Sequence, residues 1–542
     1  MRPTRRYRDA RFKPVRAVGV VCVLLAALAQ AGSAHAHASL IRSDPPDRAV
    51  VAQPPAVVAL VFNEPVSPVV LRLVGPNGDT SELNEVAAEN ATLTAVLPQG
   101  LARGTHLLSW RVISADGHPV GGALAFSIGA PSAQPGMPRV EPDRQLEWMI
   151  WTARFLLYVG LFLGVGSAFY RKWIAVGPPS LRTGKPLVAI LLCAVAAATL
   201  SIGLQGIDAL GLRLPALGEA RAWTTGLSSS FGMTAMIAAV ASVGAMLAMP
   251  TAPKLGRWIS LLALVGVGAS LAASGHASSV EPQLLTRSAV FLHGITIAFW
   301  IGALAPLAAA MTAPKRRTEE IKRFSRAILV SLVLLLASGF VLAAVELQRI
   351  DALWTTAYGL VFSAKLAAVV VLLALAAVNR FALAPLAATG DGVAAGRLAR
   401  SSRAELLIAL VIFGLVALWR FTPPPRAVWA AVQAPLHVHI HTAKAMADLE
   451  IGPAGAKGRG IIVTVLDGQF RPLPAKEVTL FFSNAPSRIE PLRLLTTHVE
   501  GAAWSVENVV LPTIGRWQVR VEILINDFEK VSIEDEIDLQ AQ

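Results

Sequence analysis

Eight apolar stretches, at residues 146–170, 187–207, 230–250, 257–275, 287–311, 325–346, 358–379 and 404–420, fill the middle of this 542-residue chain. At 1.5 Å rise per residue, each is long enough as a helix to cross roughly 30 Å of hydrocarbon. Backbone polar groups in lipid must be satisfied internally, so residues 146–421 are expected to form a bundle of about eight transmembrane helices. The lipid bilayer is thus one partner the sequence demands. Composition agrees, with 54% hydrophobic and only 15% charged residues, outside the range of an ordinary soluble protein of this size.

The formal charge of +13 reads as a topology signal, and no nucleic-acid partner is expected. Sixteen basic residues, from Arg171 to Arg403, follow spans one, three, five and seven, whereas the opposite loops carry only Arg213, Arg221, Arg287 and Arg349. Basic loops mark the cytoplasmic side, so both ends of the chain should lie outside a bacterial cytoplasmic membrane, on its periplasmic side. Residues 1–36 lead to the same side. They have a basic start, an apolar stretch over 17–31 and Ala34-His35-Ala36, the pattern of a signal peptide. Cleavage there would make His37 the new N-terminus; cleavage after Ala34 would expose His35 instead.

Flanking the bundle are two β-rich regions. Residues 37–129 alternate apolar and polar residues between Pro, Gly and Asn turns, which predicts a small Ig-like β-sandwich. A Pro-rich linker, 130–145, joins it to the membrane domain. Residues 422–542 predict a second β-sandwich. The expected fold is therefore a multidomain membrane protein with an N-terminal β-sandwich, an eight-helix bundle and a C-terminal β-sandwich.

The two cysteines, Cys22 and Cys193, exclude disulfides and thiolate metal sites. A freed His37 would offer its amine and its imidazole in one chelate, and Asp116-Gly117-His118 could complete an N,N,N,O set of the kind that favours Cu(II). In the membrane region, His276 and His293 should both lie in the outer half, where ionisable groups are costly and face the bundle interior. Arg154 and Lys365 lie at comparable depth. Met233 and Met236, spaced i,i+3, could give thioethers for Cu(I). His437, His439 and His441 alternate, so on a strand all three share one face and form a candidate accessory metal site. Each has a bland alternative: packing for the methionines, an interhelical hydrogen bond for the membrane histidines, snorkelling or pairing for Arg154 and Lys365, and a polar strand face for the histidine triplet.

Residues 37–129 resemble the CopC copper-binding family. The resemblance is carried by His37-Ala38-Ser39-Leu40, Ser43-Asp44-Pro45-Pro46, Phe62-Asn63-Glu64-Pro65-Val66, Trp110 to Pro119, Gly121-Gly122 and Phe126. It implies that His37, Asp116 and His118 bind Cu(II), with Glu64 near the metal as a hydrogen-bond acceptor. Met137 is the only methionine near this segment, too few for a Met-rich Cu(I) site. Residues 146–420 resemble CopD, the membrane partner of CopC, through Ser274-Gly275-His276-Ala277, His293 and Trp300 to Leu304. Members that fuse both domains and end in a further sandwich are copper import proteins. The implied cargo is copper, Cu(II) in the sandwich and Cu(I) in the membrane, with a periplasmic copper chaperone or a reductant as a partner.

No ATP-binding glycine pattern or CxxC occurs, and the function expected is transport or binding rather than catalysis. Three other readings stay open. The same domains could sequester copper outside the membrane for resistance. His276 and His293 could ligate a b-type haem in a membrane reductase. A histidine brace is also the copper site of glycan-oxidising monooxygenases, although Asp116 would fill the position that oxygen needs there.

Overall fold

The computed structural model describes residues 40–47, 49–62, 64–114, 119–130, 132, 143–177, 181–275, 282–422, 424–426, 435–442, 444–453, 458–467, 471–484, 489–511 and 515–539. The chain divides into two compact units. One holds Arg144–Gln205 and Gly226–Pro425, and the other gathers the β regions with Gly206–Thr225.

In the first β region the apolar alternation becomes β1 (Leu40–Asp44), β2 (Ala49–Val51), β3 (Val57–Phe62), β4 (Val66–Val74), β5 (Thr80–Glu82), β6 (Val86–Glu89), β7 (Thr92–Val96), β8 (Gly104–Ser114) and β9 (Pro119–Ile128). These pair as two sheets, β1-β3-β7-β6 and β2-β9-β8-β4-β5. β3 shows why: Val58, Leu60 and Phe62 are buried while the residues between them turn away, the period of two that a half-buried strand requires. Leu71, Leu108, Trp110, Val112 and Phe126 from the second sheet close the core. Phe62 meets Trp110 edge-to-face, with 5.1 Å between centroids. Gly122 lies opposite Trp110 in the β8–β9 ladder, and a Cβ there would overlap the indole. Only glycine lets that ring lie across its neighbouring strand.

The last β region forms β10 (Leu436–His441), β11 (Ala445–Ile451), β12 (Arg459–Asp467), β13 (Glu477–Asn484), β14 (Ile489–Leu495), β15 (Thr497–Glu500), β16 (Ala503–Val509), β17 (Gly515–Asn526) and β18 (Glu529–Leu539). Its sheets run β10-β11-β12-β16-β15 and β14-β13-β17-β18. Trp517, Phe482, Leu480 and Val463 fill the core between them.

The helical unit begins with α1 (Arg144–Tyr158), which passes through a π-helical segment, Val159–Val165, into α2 (Gly166–Trp173). Then come α3 (Leu181–Leu210), α4 (Ala220–Ser228), α5 (Ser230–Ala248), α6 (Pro253–Ala273), α7 (Gln283–Ala310), α8 (Pro314–Leu347) and α9 (Ala352–Thr355). α10 (Ala357–Val378) runs through a second π segment, Asn379–Leu383, into α11 (Ala384–Ala388), and α12 (Gly392–Leu418) completes the set. Among the described residues, eight helices are long and apolar enough to cross a membrane, from Arg144–Trp173 to Gly392–Phe421. Several reach beyond their apolar stretch. The sixth starts at Arg316 rather than near residue 325 because its basic first turns stay helical, helped by the i,i+4 pair Glu319–Arg323 at 2.9 Å.

Side-chain caps fix other helix starts. Ser229 accepts from the Gly232 N–H, Thr356 from that of Gly359, and Asp391 from those of Val393 and Ala394. α2 and α7 cross in backbone contact at Gly166 and Gly302, where a Cβ on either residue would overlap the other helix. Ser167 Oγ locks the crossing by donating to the Gly302 carbonyl at 2.7 Å. The sixth and seventh spans differ from the others in packing, with 6% and 17% of their apolar windows buried against 50% or more for spans one, two, three and five. Such helices are left to lipid on most of their surface.

Candidate functional site

Strand register, with the short link from β3 to β4, brings chain segments from both sheets to one end of the first sandwich. Leu40, which opens β1, pairs with Phe62, which ends β3. Val66, which opens β4, pairs with Ser114, which ends β8, and Pro119, which opens β9, pairs with Ile113. Glu64 stands between Phe62 and Val66, half-buried and engaged with a neighbour. His37, Asp116 and His118 lie outside the described residues. Their chain neighbours do not: His37 is three residues from Leu40, a reach of about 10 Å at most, and Asp116 and His118 belong to the connection between Ser114 and Pro119. Phe62 and Trp110 pack beneath this end as a rigid floor.

Sequence gave no role to Arg111, the residue after Trp110. Its Nη2 donates to the Asp208 carbonyl at 2.8 Å, joining β8 to the Gly206–Thr225 segment of the same unit. Burial pulls this guanidinium below the usual arginine value, and the Asp208 charge acts in the opposite direction.

His437, His439 and His441 do fall on one strand, β10, where alternate residues share a face. In the β10–β11 ladder they stand opposite Glu450, Asp448 and Met446 respectively. Metal-ligating residue types therefore face each other in register along the two strands. Among the described residues, no three His, Cys, Asp or Glu side chains converge as a metal site.

In the bundle, His293 on α7 meets α8. Its Nδ1 lies 3.2 Å from Ser338 Oγ, and that hydroxyl gives its single hydrogen to the Leu335 carbonyl at 3.0 Å. Ser338 therefore tethers the ring of His293 to α8 through Nδ1. Gly339 makes room for the ring, since a Cβ there would come within 3.2 Å of the imidazole Cε1. Lys365 lies within electrostatic reach of His293. Its ammonium rests 4.7 Å from the Trp419 ring centroid and 5.8 Å from that of Phe362. Trp419 in turn stacks on Tyr358 at 5.0 Å. The arrangement places an imidazole beside a lysine held in an aromatic box.

The other membrane candidates are not gathered there. Arg154 sits over the Phe231 ring at 4.4 Å and has further partners. Met233 and Met236 are 52% and 40% exposed on α5, the orientation of lipid-facing residues. His276 lies outside the described residues, so the pairing a haem would need has no described partner for His293. Two polar pairs at the other end of the bundle escaped sequence reasoning: Tyr170 with Glu320, at 2.9 Å, and Asn379 with Glu405. Their sequence signals are weak: Asn379 and Glu405 are single polar residues at the ends of apolar runs, and Glu320 lies unmarked in the charged segment before the sixth.

Three family models match the chain in succession. Residues 40–129 match the CopC domain, 145–283 the copper resistance protein D-like N-terminal domain, and 318–419 copper resistance protein D. The copper transport protein CutJ of Bacillus subtilis (strain 168) is 25% identical over 539 residues, covering 92% of this chain and 95% of that protein. Copper resistance protein C of Xanthomonas campestris pv. juglandis is 32% identical over 123 residues, covering 21% of this chain and 96% of its own. The crystal structure of CopC from Methylosinus trichosporium OB3b aligns with 18% of this chain and all of its own, at 27% identity and a TM-score of 0.16.

Proposed function

Because the chain belongs to the CopC/CopD copper-resistance fusion family, we propose that it captures Cu(II) outside the cytoplasmic membrane and mediates copper import. The observation that carries this reading is the resemblance to a copper transport protein along 92% of the chain, across sandwich and bundle together. The capture site proposed is the end of the first sandwich where β1, β3–β4 and β8–β9 meet. There the His37 amine and imidazole, His118 and Asp116 bind Cu(II), and Glu64 orients one of them through a hydrogen bond. Each ligand must be deprotonated, so binding releases protons and weakens as pH falls.

Within the bundle the proposed contact is the imidazole of His293, which Ser338 holds in place through Nδ1. Lys365 beside it disfavours a bare dication, which suits passage as Cu(I). That passage needs one electron per ion from an external reductant. His437, His439 and His441, with Asp448 and Glu450 across the ladder, serve as an accessory site outside the membrane.

The test begins with N-terminal sequencing of the mature protein, expected to start at His37. Cu(II) titration of His37→Ala, Asp116→Ala and His118→Ala follows, and each should weaken binding by orders of magnitude, with Glu64→Gln weaker by about 10- to 100-fold. Unaltered affinity in the three ligand variants would remove the capture site. Sequestration without import is the second reading, favoured by the copper resistance protein C relative, which matches the sandwich alone.

A further inference from the structure

Glu405 on α12 is 2% exposed, inside the eighth span. Asn379 Nδ2 donates a hydrogen bond to its Oε1. Asn379 opens the π segment that follows α10, is 8% exposed, and its Oδ1 meets no donor. One carboxyl oxygen is therefore bonded, while one buried amide oxygen is orphaned beside it.

Charged groups on the surrounding elements are engaged elsewhere. Arg380, next on the π segment, donates to the Ser325 carbonyl at 2.8 Å, and Arg317 on α8 donates to that of Gly390 at 3.2 Å. Glu320 accepts from Tyr170 and from the Val176 N–H. On α12 itself, Arg397 and Arg400 are exposed and Arg403 lines a cavity of about 200 Å³ between α7 and α12. α7 carries Arg287, five residues into the helix, and His293 as its only titratable residues, and α11 has none. Lys365 precedes Asn379 by fourteen residues on α10, about 21 Å along the axis. Arg144, Glu147 and Arg154 on α1 belong to the opposite end of the bundle. Among the described residues, no basic side chain pairs with Glu405.

An ionised carboxylate in this place would be a buried charge without a counterion, a costly state in a membrane. Protonation resolves both anomalies. With Oε2–H directed at Asn379 Oδ1, acid and carboxamide form a two-bond pair, N–H to Oε1 and O–H to Oδ1, and the orphaned oxygen gains its donor. We infer that Glu405 and Asn379 form a proton-binding site, at the end of the bundle that carries the basic loops, and that it holds one proton at neutral pH. Loss of that proton leaves one negative charge, to be balanced by one positive charge drawn toward the site. The functional part of the inference rests on the import reading: copper moving inward supplies that charge, so uptake is linked to proton release.

Infrared spectroscopy of the purified full-length protein at neutral pH reads the site without copper or transport. Wild type should show the carbonyl stretch of a protonated carboxyl, Glu405→Gln should lose it, and Asn379→Leu should shift it. No such band, or one unchanged in Glu405→Gln, overturns the site. If Glu405→Gln is not recovered folded, the wild-type band and its shift in Asn379→Leu decide. In proteoliposomes, wild-type copper uptake should vary with internal pH and Glu405→Gln should lose that dependence while its sandwich binds Cu(II) as before. The same pH dependence in Glu405→Gln overturns the link. Absence of uptake by wild type fails the import reading instead, and the infrared band still decides the proton site.

Discussion

Trp110 occupies the space where a side chain at position 122 would stand, so the ring and the glycine form one structural unit. Replacing Gly122 by valine forces the indole off its place against Phe62. Overpacking of this kind costs about 1–3 kcal/mol. The expected result is a lower melting temperature of the first sandwich, followed by calorimetry on the full chain, with the helical unit unaffected. A melting profile identical to wild type would mean the ring has another place to go. Single residues differ in how much of this the sequence reveals. Gly122 and His293 are readable, one through a family motif and the other as a lone imidazole in an apolar run. The partner of the His293 ring is not, because Ser338 lies 45 residues away. Asn379 and Glu405 are harder still, since an acid near the end of a span looks like an ordinary boundary residue until the amide from another helix is seen to meet it.

At the scale of elements, strands and spans follow from periodicity and length, and these are legible. Register and crossing points are not, because they depend on which small residue of one helix meets which of another. Gly302 illustrates this: the family motif Trp300 to Leu304 marks it, yet its role is to let α7 touch α2 at Gly166. Gly302→Val should separate these helices and break the Ser167 hydrogen bond to the residue 302 carbonyl. The change should lower the yield and thermal stability of the detergent-solubilised protein, whereas Gly339→Ala, beside the histidine, should mainly reduce copper transport. The π segments are also invisible in composition. They are stretches where the helix widens by one residue per turn, and one of them begins at Asn379. The lipid-facing sixth span makes a separate prediction. Val333 is 66% exposed near the middle of that span, so Val333→Arg should cost about 2.5–3.5 kcal/mol of insertion free energy, measured by a glycosylation-based insertion assay.

Over the whole molecule, the informative fact is that one chain carries both a CopC-like sandwich and a CopD-like bundle. On the proposed reading, tethering would hold a captured ion at an effective concentration of about millimolar relative to the next site, far above that of free copper. Such an advantage serves delivery; sequestration needs only the sandwich. The two readings therefore separate when each part is disabled in turn. If copper is imported, His118→Ala and Gly302→Val should each lower the cellular copper quota toward that of a deletion strain, and combining them should lower it little further, since they interrupt one route in series. If copper is sequestered, His118→Ala should sensitise cells to added copper and Gly302→Val, with its sandwich intact, should leave both tolerance and quota near wild type. Elemental analysis of washed cells, with the amount of each variant in the membrane measured alongside, distinguishes these outcomes. A raised quota in the deletion strain would remove import as the net activity of the molecule.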